Sequence, residues 1–166
     1  MTGARLFNKF KDGKSIFIET GTNMGNGVQN ALTSGFNRVI SIEKSSSKFN
    51  FCRGRFRNNP RVELYYGCSA ALLFTILMKI NEPVVFWLDA HLISQRPLVS
   101  INLLKELEVI HNYQIKGHTI LIDDVDLLTD TGSIDAIVSC INSDYKSEYC
   151  TLTARRPNQV KVWSIK

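Results

Sequence analysis

The sequence predicts an α/β protein: a doubly wound, mostly parallel sheet of about seven strands with helices on both faces, closed by a C-terminal antiparallel hairpin. Three observations support this. Short β-favouring runs alternate with segments of helical periodicity along most of the chain. The first run ends in a glycine-rich turn that opens directly into a helix. The last two runs alternate apolar and polar residues about a turn, which signals a hairpin rather than another crossover.

Residues 4–11 read as a leading helix whose Leu6, Phe7 and Phe10 cap the core. Ser15 to Glu19 is the first strand, and Val28, Ala31, Leu32 and Gly35 behind the glycine turn recur at i, i+3, i+4, i+7. Arg38 to Glu43 is the second strand. A basic helix spans Lys44 to Arg61, with Phe49, Cys52 and Phe56 inward and Arg53, Arg57 and Arg61 outward at i+4 spacing. Arg61 to Tyr66 forms the third strand, Gly67-Cys68-Ser69 a turn, and Ala70 to Ile80 a helix. Pro83 introduces Val84 to Asp89, the most apolar strand and therefore central. After a loop over 90–97, Leu103, Leu104, Leu107 and Ile110 mark a helix that ends at Gly117, and His118 to Asp123 is strand five. Ile134, Ile137, Val138 and Ile141 mark the last helix. Tyr149 to Ala154 and Val160 to Ile165 pair about Arg156-Pro-Asn-Gln.

A length of 166 residues suits one domain, 1–166, with a single sizeable core. Hydrophobic and charged contents of 44% and 21% are those of an ordinary soluble protein, and Met1 to Lys14 shows no secretory h-region. The longest apolar run, Ala70 to Ile80, is too short to span a bilayer, so no membrane role is expected. Cys52, Cys68, Cys140 and Cys150 show no paired or metal-finger spacing, which fits reduced thiols and a cytoplasmic location. The net charge of +5 leaves an anionic partner open, and the cations of residues 44–61 form either a solvated face or a nucleic-acid footprint.

In an open α/β sheet, ligands bind beyond the carboxyl ends of the strands. The first turn lacks the Gly-Lys-Ser/Thr of a phosphate-gripping loop, because Gly27 is followed by Val28 and Gln29. Its glycines, Gly21, Gly25 and Gly27, also miss the G-x-G-x-x-G spacing of dinucleotide folds, which makes nicotinamide chemistry the weakest alternative. Glu19, two residues before the first glycine, suits an ammonium group better than a pyrophosphate. Glu43, ending the second strand, is placed to accept from ribose hydroxyls. Asp89 ends strand four, followed by His91, and Asp123-Asp124 end strand five.

The run Glu19-Thr20-Gly21-Thr22-Asn23-x-Gly25-Asn26-Gly27 before a helix resembles the first motif of class I S-adenosylmethionine (SAM) dependent methyltransferases. The likeness is closest to FkbM-type and small metal-dependent O-methyltransferases, whose turn reads roughly D-x-G-A-N-x-G. It implies a Rossmann-like fold over nearly the whole chain and SAM as cofactor. The residues it implies for SAM are Glu19, Thr20, Gly21, Thr22, Asn23, Gly25 and Gly27 in the turn, Glu43 and Lys44 at the ribose, Cys68 and Ser69 at the adenine edge, and Asp89. By similarity to the metal-dependent enzymes, Asp89, Asp123 and Asp124 are candidate Mg²⁺ ligands.

Asp89 and His91 are the candidate catalytic residues, His91 as a general base. The acceptor is expected to carry a hydroxyl, on a small molecule, a glycan or RNA. Asp89-Ala-His-Leu lacks the proline and aromatic of amino-methylating DNA enzymes, and strand five offers Asp123 where the common RNA ribose methyltransferases use a lysine. The loop Ser94-Gln-Arg96-Pro is expected at the acceptor rim. Two alternatives stay open: an RNA-directed enzyme using the basic helix 44–61, and an inactive SAM-fold scaffold. A homo-oligomer or partner subunit that completes the acceptor pocket is also open.

Overall fold

Strand β1 (Ile16–Thr20) is buried along its whole length, which demands a strand on each edge and cover on both faces. The computed structural model describes residues 1–90, 101–128 and 131–165. Around β1 the chain places α1 (Gly3–Phe10), α2 (Asn26–Thr33), β2 (Arg38–Glu43), α3 (Ser46–Phe56), β3 (Val62–Tyr66), α4 (Ser69–Leu77) and β4 (Val85–Leu88). There follow α5 (Ile101–Asn112), β5 (Thr119–Ile122), a 3-10 turn (Val125–Leu127), α6 (Thr131–Ile141), β6 (Lys146–Cys150) and β7 (Val160–Ser164). The strand order is β3-β2-β1-β4-β5-β7-β6, with β4 in the middle, as its apolar run predicts. β1 to β5 are parallel, while β7 runs antiparallel between β5 and β6.

Alternate strand residues divide the core into two layers, as the two-residue side-chain period requires. Ile18, Ile40, Phe86, Leu88 and Ile120 meet Leu73 and Leu77 of α4, Leu107 of α5 and Val138 of α6. On the other face Phe17, Val39, Val85 and Leu121 meet Phe7 of α1, Val28 and Ala31 of α2 and Cys52 of α3. The Phe7 ring lies 4.7 Å from that of Phe17 and 5.1 Å from that of Trp87, so the leading helix caps this layer.

Three boundaries differ most from expectation. α3 stops at Phe56, because Pro60 disfavours helix at Asn59; Arg61 is therefore off the helix, its guanidinium bonded to the Phe36 carbonyl (3.2 Å). α5 stops at Asn112 rather than Gly117, where the buried Tyr113 turns its hydroxyl to the Ile80 carbonyl. The first hairpin strand starts at Lys146 and ends at Cys150. As an edge strand it is mostly exposed, and its polar composition hid it. Among the described residues, no helix is long and apolar enough to cross a membrane.

Candidate active site

The sheet order reverses between β1 and β4, and the loops beyond their carboxyl ends part there to leave a crevice. The Gly21 N–H donates to the Ile42 carbonyl (2.9 Å), which hangs the first turn on the end of β2. Gly21 has φ +87°, and a Cβ on it would lie 2.5 Å from the Asp89 carbonyl oxygen. The turns after β1 and β4 thus cross backbone to backbone, and only glycine permits it. At Gly27 a Cβ would fall 1.7 Å from Glu19 Oε1, so the first turn of α2 closes directly over the Glu19 carboxyl.

Glu43 joins two turns. Its Oε2 accepts the Asn23 N–H and its Oε1 the Ser45 N–H, both at 2.8 Å, which leaves each oxygen a second lone pair for a ligand hydroxyl. The carboxylate lines a cavity of about 470 Å³ with Gly21, Asn23, Lys44, Cys68, Ser69, Asp89, Asn102, Asp123 and Asp124. A smaller cavity of about 270 Å³ shares Gly21, Asn23, Asp89 and Asp123, and is lined further by Glu19, Thr22, Gly27 and Trp87. The turn residues, Glu43, Cys68, Ser69 and Asp89, distant in sequence, thus border two adjoining spaces. Thr20 borders neither: it is fully buried, and its hydroxyl donates to Glu106 Oε2 (3.2 Å) while facing the Asp89 N–H (3.3 Å). Gly25, capping α2, packs instead against Phe56 and Cys52 of α3. His91 and the loop Ser94 to Pro97 lie outside the described residues.

Three carboxyls around these spaces, Glu19, Asp89 and Asp123, bind protons more tightly than usual. Burial pushes Glu19 up to about 8, aided by the Glu43 charge and opposed by the hydrogen bond from Ser41 (2.6 Å). Burial, then the charges of Asp123, Asp124 and Glu19, raises Asp89 to about 8. Asp123 rises to about 6, from burial and the Asp124 charge, although its Oδ1 accepts from the Asp124 N–H and the Gln159 amide, both at 2.8 Å. Perturbed carboxyls converging in one crevice mark a candidate functional site.

Among the described residues, no group of three His, Cys, Asp or Glu side chains is gathered as a metal site, so the expected set Asp89, Asp123 and Asp124 is not assembled as one. A guanidinium lies beside the end of strand five: Arg156 bonds Asp124 Oδ1 at 2.6 Å and grips both oxygens of Asp126 at 2.5 and 3.0 Å. Asp124 itself has φ +56° at the start of the 3-10 turn, which holds it on this clamp.

Sequence reasoning missed Glu106. This buried α5 residue accepts from Ser69 Oγ, from Asn102 Nδ2 (2.7 Å) and from Thr20 Oγ1, and so ties the ends of β1 and α4 to α5 directly behind the larger cavity. Its one signal was a carboxylate at the third place after Leu103, beside Leu107, on the buried stripe. Burial raises it from 4.5 to about 7. A carboxyl shifted upward favours the folded state while it is protonated; the contribution is whole below about pH 4.5 and fades as pH rises through about 7. The uncharged Glu106→Gln is therefore expected to gain melting temperature relative to the unaltered protein between about pH 5 and about pH 8. A gap between the two that does not vary with pH would refute this.

No family model and no curated protein matches the sequence. Solved structures do. An O-methyltransferase from Bacillus cereus in complex with SAH superposes with a TM-score of 0.67 at 16% identity, over 99% of this chain and 79% of that one. The O-methyltransferase TomG from Streptomyces achromogenes, involved in tomaymycin synthesis and in complex with SAM, gives 0.66 at 16% identity, over 98% and 77%. A TehB-like SAM-dependent methyltransferase from Corynebacterium glutamicum gives 0.64 at 13% identity, over 100% and 89%. The chain has the class I methyltransferase fold. The FkbM-type likeness rests on the first turn alone.

Proposed function

We propose that the protein is a SAM-dependent methyltransferase that methylates an oxygen. The observation that carries this is the pairing of a glycine turn closed to any Cβ with Glu43, whose two oxygens keep lone pairs toward the larger cavity. In this reading Glu43 accepts from the ribose hydroxyls, Cys68 and Ser69 border the adenine, and the backbone from Gly21 to Gly27 passes under the methionine part. Glu19 balances its ammonium. When bound, SAM supplies an electrophilic methyl on a sulfonium sulfur. The chain's own part is to position the reactants and exclude water. Asp89, at the junction of the two cavities, is the group placed to take up the acceptor hydroxyl's proton once the SAM cation has displaced its own. No step is assigned to magnesium.

Calorimetric titration with SAM, SAH and NAD tests this. Micromolar binding of the first two and none of NAD is expected. A cation settling beside carboxyls of raised pKa displaces their protons, so SAM affinity is expected to rise from about pH 6 to about pH 8, with an enthalpy that varies with the buffer's own ionisation heat. Binding of neither SAM nor SAH by folded protein would overturn the reading. Binding without turnover on any hydroxyl acceptor would favour a scaffold.

A further inference from the structure

The molecule separates its charges: Glu19, Glu43, Asp123 and Asp124 at the strand ends are buried, whereas the cations of residues 44–61 stand outside. From Lys44 to Val62 the chain holds Lys44, Lys48, Arg53, Arg55, Arg57 and Arg61 and no acid, and among the described residues none of the six forms an ion pair. A face evolved only for solubility would mix signs.

On α3, Lys48, Phe51 and Arg55 fall at i, i+3, i+7 and so form one stripe, about 10 Å long. Lys48 lines the larger cavity. Phe51, in the middle, is 49% exposed. Arg55 lines a separate cavity of about 400 Å³ with Gln29, Thr33, Asn58, Asn59 and Arg61. The guanidiniums of Arg55 and Arg61 are anchored by the Met24 carbonyl (2.6 Å) and the Phe36 carbonyl, with further N–H groups left over. On the helix's other flank, Tyr66 is 57% exposed and pairs with Phe49, beneath the Arg53 guanidinium.

Open aromatic rings between unpaired cations are what a flexible polyanion of stacking bases requires. Two exposed rings, Phe51 and Tyr66, set among cations are too narrow an apolar face for a bilayer. We propose that the Lys48-Phe51-Arg55 stripe of α3 binds single-stranded RNA and leads it to the strand ends, where a ribose hydroxyl is the methyl acceptor. RNA rather than DNA follows from the oxygen acceptor, since DNA lacks the 2′-hydroxyl. This acceptor assignment rests on the methyltransferase reading, but the binding surface does not. In the transfer, the methyl's bond to sulfur breaks as its bond to the ribose oxygen forms; the hydroxyl proton passes to Asp89 and SAH leaves.

Anisotropy of a fluorescein-labelled, mixed-sequence single-stranded RNA tests the surface, with SAM calorimetry on the same proteins. RNA affinity is expected to fall steeply with salt. Phe51→Ala should weaken it about tenfold and leave SAM affinity unchanged. Arg55→Gln should lower the slope of log affinity against log salt by about 0.7. Radiolabel from methyl-tritiated SAM should enter RNA and not DNA of the same sequence. SAM binding without RNA binding, or equal RNA affinity in Phe51→Ala, overturns the surface while the methyltransferase reading stands. RNA binding that Phe51→Ala weakens, in a protein that ignores SAM, supports the surface and removes the acceptor role. Label in both polymers or in neither overturns the ribose assignment.

Discussion

Gly21→Ala is expected to abolish measurable SAM binding and to cost about 3 kcal/mol of stability, the sum of left-handed strain and overpacking. Gly21 has φ +87°, where a side chain meets its own backbone, and its Cβ would lie 2.5 Å from the Asp89 carbonyl oxygen. Neither chain can yield cheaply. The turn hangs on the Ile42 carbonyl, and the Asp89 N–H is bonded to the Thr20 carbonyl (3.1 Å). Any relief must push apart the turns after β1 and β4, which are the floor of the proposed methionine site. Gly54 supplies the control. It sits within α3 with nothing within 4 Å of a built Cβ, so Gly54→Ala should stabilise by about 1 kcal/mol and leave SAM binding intact. Thermal melts and calorimetry on the two variants separate these outcomes; near-normal SAM affinity in Gly21→Ala would take the ligand off this turn.

Glu43→Ala is expected to weaken SAM binding tenfold or more, about 1.4 kcal/mol or above. Two consequences are entangled in it. The ribose would lose its acceptor, and the part-buried N–H groups of Asn23 and Ser45 would lose theirs, at about 1.5 kcal/mol each. Glu43→Gln divides them. One amide oxygen still accepts from the backbone, so much of the melting temperature should survive, while the second ribose hydroxyl meets an NH₂ and the charge is gone. Reduced SAM affinity in a protein that melts near normally locates the loss at the ligand. Unchanged affinity in both variants would remove the ribose role from Glu43.

The sheet was legible because burial leaves a periodic trace. Val84 to Asp89 reads as central from its unbroken apolar run, and β4 is the middle strand. Of the predicted helical stripe, Leu103, Leu107 and Ile110 are buried and Leu104 is half-buried. The glycine turn could be read as a place where a ligand meets backbone, since the strand-turn-helix order puts it at a carboxyl end. Where the local signal is weak the reading slipped, as at the polar edge strand Lys146–Cys150.

The neighbours of each polar group were not legible. That Asp124 is bonded to a guanidinium depended on Arg156, far along the chain and delivered by the closing hairpin. Glu106 needed β1, α4 and α5 assembled before its three donors met. The sequence by itself determined which stripes of apolar residues are buried and which acids stand at strand ends, because these follow from spacing along one segment. Only the tertiary structure decided how the buried charges are partnered and how much each is perturbed, because Coulomb energy and desolvation depend on distances between segments that spacing does not contain.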